Sequence, residues 1–314
     1  MKGIELSEKY FEEFGRPMLE KEFSDILPLI AAGIAGSGSE CFGFDDEISR
    51  DHDFEPGFCI FIPGEETLDR KRAFELERAY SKLPKEFEGI RRPLVAPVGG
   101  SRHGVIRTAD FYLSETGSGS GILSVEEWLH IPDSALAQAT NGKIFFDNYG
   151  EFTDIRNYLL KMPTDILLKR LAGNILLAAQ SGQYNFSRCI ARGEKGAAQL
   201  ALTEFVTSVM KAAFLLSGRY MPYYKWSFRA LAEIPGRQRL CEDLTLLLNT
   251  GNADSETVGQ KINLIESVCA SLADELRSRN LTSADGNELE KHAYSVNDKI
   301  GNVSVRNLHI LSAT

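Results

Sequence analysis

Hydrophobic side chains recur every three to four positions along the first part of the chain. Between residues 5 and 34 this spacing is carried by Tyr10, Phe11, Phe14, Met18, Leu19, Phe23, Ile26, Leu27 and Ile30. Such a period predicts amphipathic helices, and Pro17 marks a candidate break between two of them. We therefore expect a helix to lead into Gly36.

The pattern changes to strand signals after a stretch rich in Gly, Ser and Asp. Residues 58–62 are consecutive apolar residues ended by a Pro-Gly pair, which is typical of a buried strand. Residues 66–83 predict another amphipathic helix, while 94–97 and 105–108 are short strand candidates. The first 150 residues are thus expected to mix helix and strand.

Long segments with a helical period and no strand pattern follow residue 153: residues 165–181, 194–217, 236–249 and 256–279. Breaks between them are expected at Gly182, near Pro222 and at Pro235. We place a domain boundary near residue 150. Residues 1–150 are then an α+β domain with a small mixed sheet, and residues 151–314 are an all-α helical bundle.

Composition narrows the class of protein. The chain has 314 residues, of which 43% are hydrophobic and 25% charged, so disordered and fibrous classes are excluded. Its net charge of -9 argues against a protein that coats nucleic acid. The five cysteines are an odd number without a CxxC pair, which favours reduced thiols in a cytoplasmic protein. The charged N-terminus and the lack of 18 consecutive apolar residues predict neither a secretory signal nor a membrane span.

Acidic residues are concentrated between Asp45 and Glu55. Within this segment Asp51 and Asp53 are two positions apart, so on an extended chain both side chains point to the same side. His52 lies between them, points to the other side and is interpreted as structural. Paired carboxylates of this kind suit Mg²⁺, which takes one or two of them together with water and substrate phosphates.

Gly36 and Ser37 supply a candidate phosphate site ahead of these acids. A glycine lets backbone N–H groups approach an anion closely, and a serine hydroxyl adds a donor. Ser49 lies close enough in sequence to the paired acids to donate a further hydrogen bond, or else it caps a turn. The sequence therefore predicts a site where phosphate and metal meet.

The order of these features resembles a known superfamily. A helix, Gly-Ser, thirteen residues and then Asp-X-Asp before a strand is similar to the nucleotidyltransferase superfamily of DNA polymerase β, which includes the aminoglycoside and lincosamide nucleotidyltransferases. Later segments resemble the bacterial DUF4037 family, in which a nucleotidyltransferase-like domain precedes a helical domain: residues 128–132, 142–147, 182–189, 192–194 and 220–226.

The resemblance implies roles for the residues of the first domain. Asp51 and Asp53 would hold two Mg²⁺ ions that bridge a nucleoside triphosphate, with ATP as the expected one. Gly36 and Ser37 would hold the terminal phosphates. Charge on the triphosphate is then neutralised by metal while its α-phosphate is attacked and pyrophosphate leaves.

The resemblance also implies that the helical domain supplies cations to the triphosphate. Arg188, Arg192 and Lys225 are the candidates, because aromatic residues or glycine flank each of them. Tyr224 and its aromatic neighbours either stack on a base or belong to the core. Two other arginines are interpreted as ordinary surface charges: Arg156 and Arg170.

One feature of the superfamily is missing from the expected place. A third carboxylate usually comes from a later strand, but residues 105–108 contain no acid, and Asp110 and Glu115 only follow them. The general base that deprotonates the acceptor is therefore sought in the helical domain, with Glu194 and Glu204 as candidates. For Glu194, a solvated carboxylate at a helix N-terminus is the alternative.

Together these features predict an Mg²⁺-dependent nucleotidyltransferase that moves a nucleoside monophosphate to a hydroxyl acceptor. The acidic charge favours a small-molecule acceptor over nucleic acid, and the protein is expected to be a monomer or a homodimer. Two alternatives stay open. One is a nucleotide-binding module that has lost transfer, and the other is an antitoxin-like protein whose residues 256–279 and 282–314 bind a partner.

Overall fold

The computed structural model describes residues 1–48, 55–92, 103–252 and 254–314. The chain forms two compact units, and each is assembled from two separate segments. Unit 1 comprises Met1–Leu123 and Ser134–Lys161, and unit 2 comprises Ser124–Asp133 and Met162–Thr314. The fold is α+β, as the sequence predicts, with a small mixed sheet in unit 1 and helices in unit 2. The boundary predicted near residue 150 lies within the second segment of unit 1.

Helices and strands alternate through the first half of the chain. In order they are α1 (Gly3–Tyr10), a π-helical segment (Phe11–Gly15), α2 (Arg16–Glu22), β1 (Ala31–Ile34), β2 (Cys59–Ile62), α3 (Arg70–Ser81), β3 (Glu86–Phe87), β4 (Ile90–Arg91), β5 (Gly104–Arg107), α4 (Thr108–Thr116), α5 (Val125–His130), α6 (Asp133–Thr140), β6 (Lys143–Asp147) and α7 (Glu151–Leu159). The predicted helix at 66–83 and strand at 58–62 are confirmed as α3 and β2, whereas the strand candidate at 94–97 lies outside the described residues.

The larger sheet of unit 1 has the strand order β5-β2-β1-β6. Strand β1 runs antiparallel to both of its neighbours, and Ala32 lies opposite Ile60 on β2 and Phe146 on β6. Strand β5 is parallel to β2, with Val105 beside Ile60. Because parallel and antiparallel pairs occur together, the sheet is mixed.

The chain before Gly36 is a strand, so the prediction that a helix leads into this glycine is wrong. Helix α2 ends at Glu22, and the backbone stays helical through Gly15 and Arg16, so the candidate break at Pro17 does not separate two helices. All four residues of β1 are buried, and its two edges pair with β2 and β6. A short run that is apolar on both faces has no alternation that would distinguish a strand from a buried helix.

Aromatic side chains form much of the core of unit 1. The Phe58 ring lies 5.1 Å from the Phe11 ring and 5.1 Å from the Tyr80 ring, measured between centroids. The Tyr80 hydroxyl donates to the Phe58 carbonyl at 2.8 Å and accepts from the Phe58 N–H at 3.1 Å. Helix α3 is thereby tied to the residue that precedes strand β2.

Only helices and their connections are found in the described residues of unit 2. After α5 they are α8 (Thr164–Ala178), a π-helical segment (Ala179–Phe186), α9 (Ser187–Ala191), α10 (Lys195–Leu216), α11 (Tyr224–Ala232), α12 (Gln238–Asn249), α13 (Ser255–Ser278), α14 (Leu289–Asp298) and α15 (Val303–Asn307). This confirms the helical segments predicted from periodicity. The core is centred on α8 and α10, which pack on one another.

A break predicted at Gly182 is wrong. The backbone stays helical through this residue and only widens into the π-helical segment. A Cβ at Gly182 would lie 2.3 Å from the Phe205 ring of α10, so the glycine permits a close approach of two helices. Here a glycine serves helix packing rather than helix termination.

Helix α10 is long and apolar enough to cross a membrane by the criteria of length and composition. Most of its apolar window is buried inside the protein, which is also true of the core helix of a globular domain. It lies at the centre of unit 2 against α8. The absence of a membrane span therefore stays a prediction of the sequence.

Candidate functional site

The turn at Gly36 follows directly from strand β1. Gly36 has a φ of +115°, a conformation that side chains with a Cβ rarely adopt. The side chain of Asn141 binds both backbone groups of this glycine. The Gly36 N–H donates to Asn141 Oδ1 at 2.9 Å, and Asn141 Nδ2 donates to the Gly36 carbonyl at 2.7 Å. The turn is thus fixed by a residue 105 positions away in sequence.

Gly142 holds the other end of the same loop, which we define as residues 35–41. Its N–H donates to the Cys41 carbonyl at 2.9 Å. Its φ is +74°, and a Cβ here would lie 1.9 Å from the Ile34 carbonyl oxygen. Only glycine allows the backbone at 142 to approach the end of β1 this closely.

Arg156 of α7 fixes the segment that carries these two residues. Its guanidinium donates to the carbonyl of Thr140 at 2.8 and 2.9 Å and to that of Gly142 at 3.1 Å, and it also donates to the Asn141 carbonyl. Burial lowers the pKa of this arginine. The prediction that Arg156 is an ordinary surface charge is therefore wrong, because three carbonyl groups surround it.

A pocket of about 230 Å³ opens beside the loop, wholly within unit 1. Its lining includes the loop itself, β2, His103 and helix α4. Two carboxylates belong to it, those of Glu40 and Glu115. The Glu115 Oε1 atom lies 3.7 Å from where a Cβ on Gly36 would be, so this carboxylate faces the turn. Glu40 is only 8% exposed and lies over Gly38.

The electrostatics of the pocket are acidic. Burial raises the pKa of Glu115. Burial, with a smaller contribution from Glu40, raises the pKa of the Cys59 thiol to about 12. A phosphate placed beside two carboxyl groups is repelled when they are ionised, unless cations accompany it.

The predicted metal ligands Asp51 and Asp53 lie outside the described residues, as does Ser49. Among the residues that the structure does describe, no group of three His, Cys, Asp or Glu side chains could hold a metal ion. Of the predicted phosphate-binding residues, Gly36 is buried and Ser37 is exposed, and both line the pocket. Within the described ranges the Ser37 N–H and hydroxyl make no hydrogen bond, so both donors are available to a ligand.

The predicted cations of unit 2 fall on two short stretches. Arg188 of α9 is exposed, with its guanidinium carbon 4.6 Å from the Tyr184 ring. Arg192 is the C-cap residue that follows α9 and is exposed as well. Glu194 is the N-cap residue of α10, exposed, and its side chain caps no backbone N–H. This position agrees with the alternative of a solvated carboxylate at a helix N-terminus.

The other stretch is the start of α11. Lys225 is exposed, with Nζ 5.1 Å from the centre of the Trp226 ring. Tyr224 is 73% and Tyr223 49% exposed, and their rings lie 4.4 Å apart. Of the two interpretations of these tyrosines, membership of the core is therefore wrong. Both rings are accessible for stacking.

Sequence reasoning missed Asn141, Gly142 and Glu115 as parts of the pocket and its support. An Asn-Gly pair between a helix and an apolar run is a turn signal, which could have drawn attention to the first two. Glu115 follows the fifth strand by more than two helical turns, and only the path of α4 brings it to Gly36. Asp110, in the first turn of α4, does not line the pocket.

Comparison with known proteins gives three results. Residues 128–227 match the sequence model of a family described as a domain of unknown function, DUF4037. This supports the resemblance to that family over the matched part of the chain. A search of curated protein sequences gives no significant match.

Among solved structures, a match to this chain is found. It is the crystal structure of a nucleotidyltransferase-like protein from Exiguobacterium sibiricum 255-15, which aligns over 93% of this chain and 81% of that chain. The identity is 12% and the TM-score 0.37. A similarity of this size says nothing about activity. The resemblance to antibiotic nucleotidyltransferases has no counterpart in these comparisons.

Proposed function

We propose that this protein is a metal-dependent nucleotidyltransferase, which moves a nucleoside monophosphate from a nucleoside triphosphate to a hydroxyl acceptor. The observation that carries the proposal is the turn at Gly36 and Ser37, which leaves a buried strand and opens onto an acidic pocket with two donors available. Backbone N–H groups and a hydroxyl at such a turn are a typical anion-binding arrangement.

The proposal includes metal ions because the charge of the pocket requires them. Glu40 and Glu115 line the same pocket, so a polyphosphate needs cations in order to bind there. Oxygen donors of this type suit Mg²⁺. Asp51 and Asp53 are the proposed ligands of two such ions, with Ser49 as a neighbouring donor. The metals would neutralise the phosphates and polarise the α-phosphate for attack.

The helical unit is proposed to contribute to the same ligand. Arg188, Arg192 and Lys225 are exposed cations that suit phosphate oxygens, and the accessible ring of Tyr224 suits stacking on a base. Glu194 is proposed as the general base because it is exposed and ionisable in water. The acidic composition supports a small-molecule acceptor.

The test is calorimetric titration of the full chain with ATP, CTP, GTP and UTP, each with and without Mg²⁺. We expect one nucleotide to bind only with metal, and binding to be lost in Asp51→Asn and Asp53→Asn. Glu47→Gln is the matched control, since it removes an exposed acid from the same segment and should bind as the wild type does. Equal binding by both aspartate variants and the wild type would overturn the metal site.

A second candidate function is nucleotide binding without transfer. It is favoured by strand β5, Gly104–Arg107, which carries no acidic residue to act as a third carboxylate. Metal-dependent binding with no pyrophosphate release in the presence of a broad set of hydroxyl acceptors would favour this candidate. If no nucleotide binds at all, the partner-binding alternative takes precedence.

A further inference from the structure

We infer that Asn141, Gly142 and Arg156 form a clamp that sets the geometry of the proposed phosphate-binding loop, with Asn141 and Arg156 as positioning residues. The inference rests on the proposed function, because it assigns these residues to ligand binding rather than to folding alone. Its basis is a chain of contacts that runs from helix α7 to the turn at Gly36, all within unit 1.

The first step is the double hydrogen bond between Asn141 and Gly36. A side-chain amide offers one acceptor and one donor side by side, and here both are used by the N–H and the carbonyl of one residue. This fixes the two peptide planes that flank Gly36. The Ser37 N–H belongs to one of these planes, so its direction is set by Asn141.

The second step is the contact of Gly142 with the two ends of the loop. Its N–H binds the Cys41 carbonyl, and its Cα lies against the backbone of Ile34 and Ala35. The loop is therefore held at both ends by neighbouring residues of one short segment. A loop held in this way loses little conformational freedom when it binds a ligand.

The third step is the fixation of that segment by Arg156. Three consecutive carbonyl groups, those of residues 140, 141 and 142, accept from a single planar guanidinium. Lysine has one ammonium group and cannot present donors in a fixed plane. A rigid cation is thus placed where it holds the clamp without itself lining the pocket.

The test uses Asn141→Asp, which keeps the shape of the side chain. The carboxylate accepts from the Gly36 N–H but repels the Gly36 carbonyl, whereas the protonated acid again offers one acceptor and one donor. At pH 7.5 we expect the dissociation constant of the Mg²⁺–nucleotide complex to rise about tenfold or more over the wild type. At pH 5 we expect the ratio of variant to wild type to fall, because protonation restores the donor.

Hydrogen exchange of a peptide covering residues 34–42 supplies a second measurement that needs no ligand. We expect faster exchange there in Asn141→Asp and in Arg156→Lys than in the wild type. Asn148→Asp is the matched control, because Asn148 also donates from its side chain to a backbone carbonyl of unit 1, that of Leu27. It should change neither the exchange of this peptide nor nucleotide affinity.

The outcomes separate the inference from the proposed function. If the wild type binds no nucleotide, the proposed function fails, and exchange at 34–42 alone then decides whether Asn141 holds the loop. If the wild type binds and Asn141→Asp binds equally well at both pH values, the positioning role is overturned. A tenfold loss that does not depend on pH would also overturn it, since general damage to the fold is not repaired by protonation.

Discussion

Arg170 of α8 and Asp133 form an ion pair in which both side chains are less than one tenth exposed. The distance from Arg170 Nη1 to Asp133 Oδ1 is 3.1 Å. The same guanidinium donates to the Ile131 carbonyl. One arginine therefore holds the segment 124–133 against α8 within unit 2. The prediction that Arg170 is an ordinary surface charge is wrong.

Replacing this arginine should destabilise unit 2 strongly. Arg170→Met leaves Asp133 buried without its partner, and removal of one member of a buried pair costs about 3–5 kcal/mol. Burial already raises the pKa of Asp133 against the opposing effect of Arg170. Urea unfolding at pH 7 followed by circular dichroism measures the loss. The double variant Arg170→Met with Asp133→Leu should recover most of it, and a double variant no more stable than the single one would contradict the assignment.

A methyl group at Gly142 should be far more costly than one at Gly43. The two glycines have similar φ values, +74° and +70°, so alanine pays a similar conformational penalty of about 1–2 kcal/mol at both. Only at Gly142 does the new Cβ meet backbone, whereas it meets open space at Gly43. We expect Gly142→Ala to cost a further 1–3 kcal/mol, roughly the penalty of overpacking. Equal free energies of unfolding for the two variants would refute the close contact.

The carboxyl group of Glu115 should make the stability of unit 1 depend on pH. Burial raises its pKa above the ordinary value of 4.5, so the folded chain holds this proton more tightly than the unfolded chain. The contribution of the protonated Glu115 to the free energy of unfolding is complete below pH 4.5, and it is lost as the pH rises through the raised pKa. Glu115→Gln has no carboxyl group at this position and so does not lose this stabilisation as the pH rises. The melting temperature of the variant minus that of the wild type should therefore increase with pH. A difference that stays flat across this pH range would contradict the burial effect.

Lys225→Ala should weaken the binding of a nucleoside triphosphate by about three- to tenfold if this cation meets its phosphates. The residue is exposed, so its removal should cost stability no more than about 0.5–1 kcal/mol, the contribution of its contact with the Trp226 ring. Calorimetric titration of the Mg²⁺–nucleotide complex measures the effect. Lys291→Ala removes an exposed lysine from α14 of the same unit and serves as the control. An unchanged affinity would mean that Lys225 has no role in binding the nucleotide.

Local patterns explain why some elements could be predicted and others could not. Strand β2 is a short apolar run with turn residues on both sides, and the helices of unit 2 repeat their apolar positions over many turns. Strand β1 is as apolar as β2, but it follows a helical pattern that has no clear helix-termination signal. Strand β6 lies at an edge and is only half-buried, so its five residues carry no marked alternation.

The candidate site, like the fold, has parts that could be predicted from the sequence and parts that could not. The Gly-Ser turn can be read locally because the residues that form it are adjacent in sequence. The roles of Asn141 and Arg156 depend on contacts with residues more than ten positions away, which no spacing rule within one segment detects. Arginine is charged and usually exposed, so only the folded chain identifies those that bind carbonyl groups in the interior.

The order of strands along the chain has a consequence for synthesis. Strand β1 pairs with β6 on one side, yet β6 is translated more than a hundred residues later. At 5–20 residues per second this interval lasts on the order of ten seconds. During that time one edge of β1 has unpaired N–H and carbonyl groups that can pair with another chain. A nascent chain halted before β6 has emerged from the ribosome should therefore be a better target for chaperones than one halted after β6 has emerged.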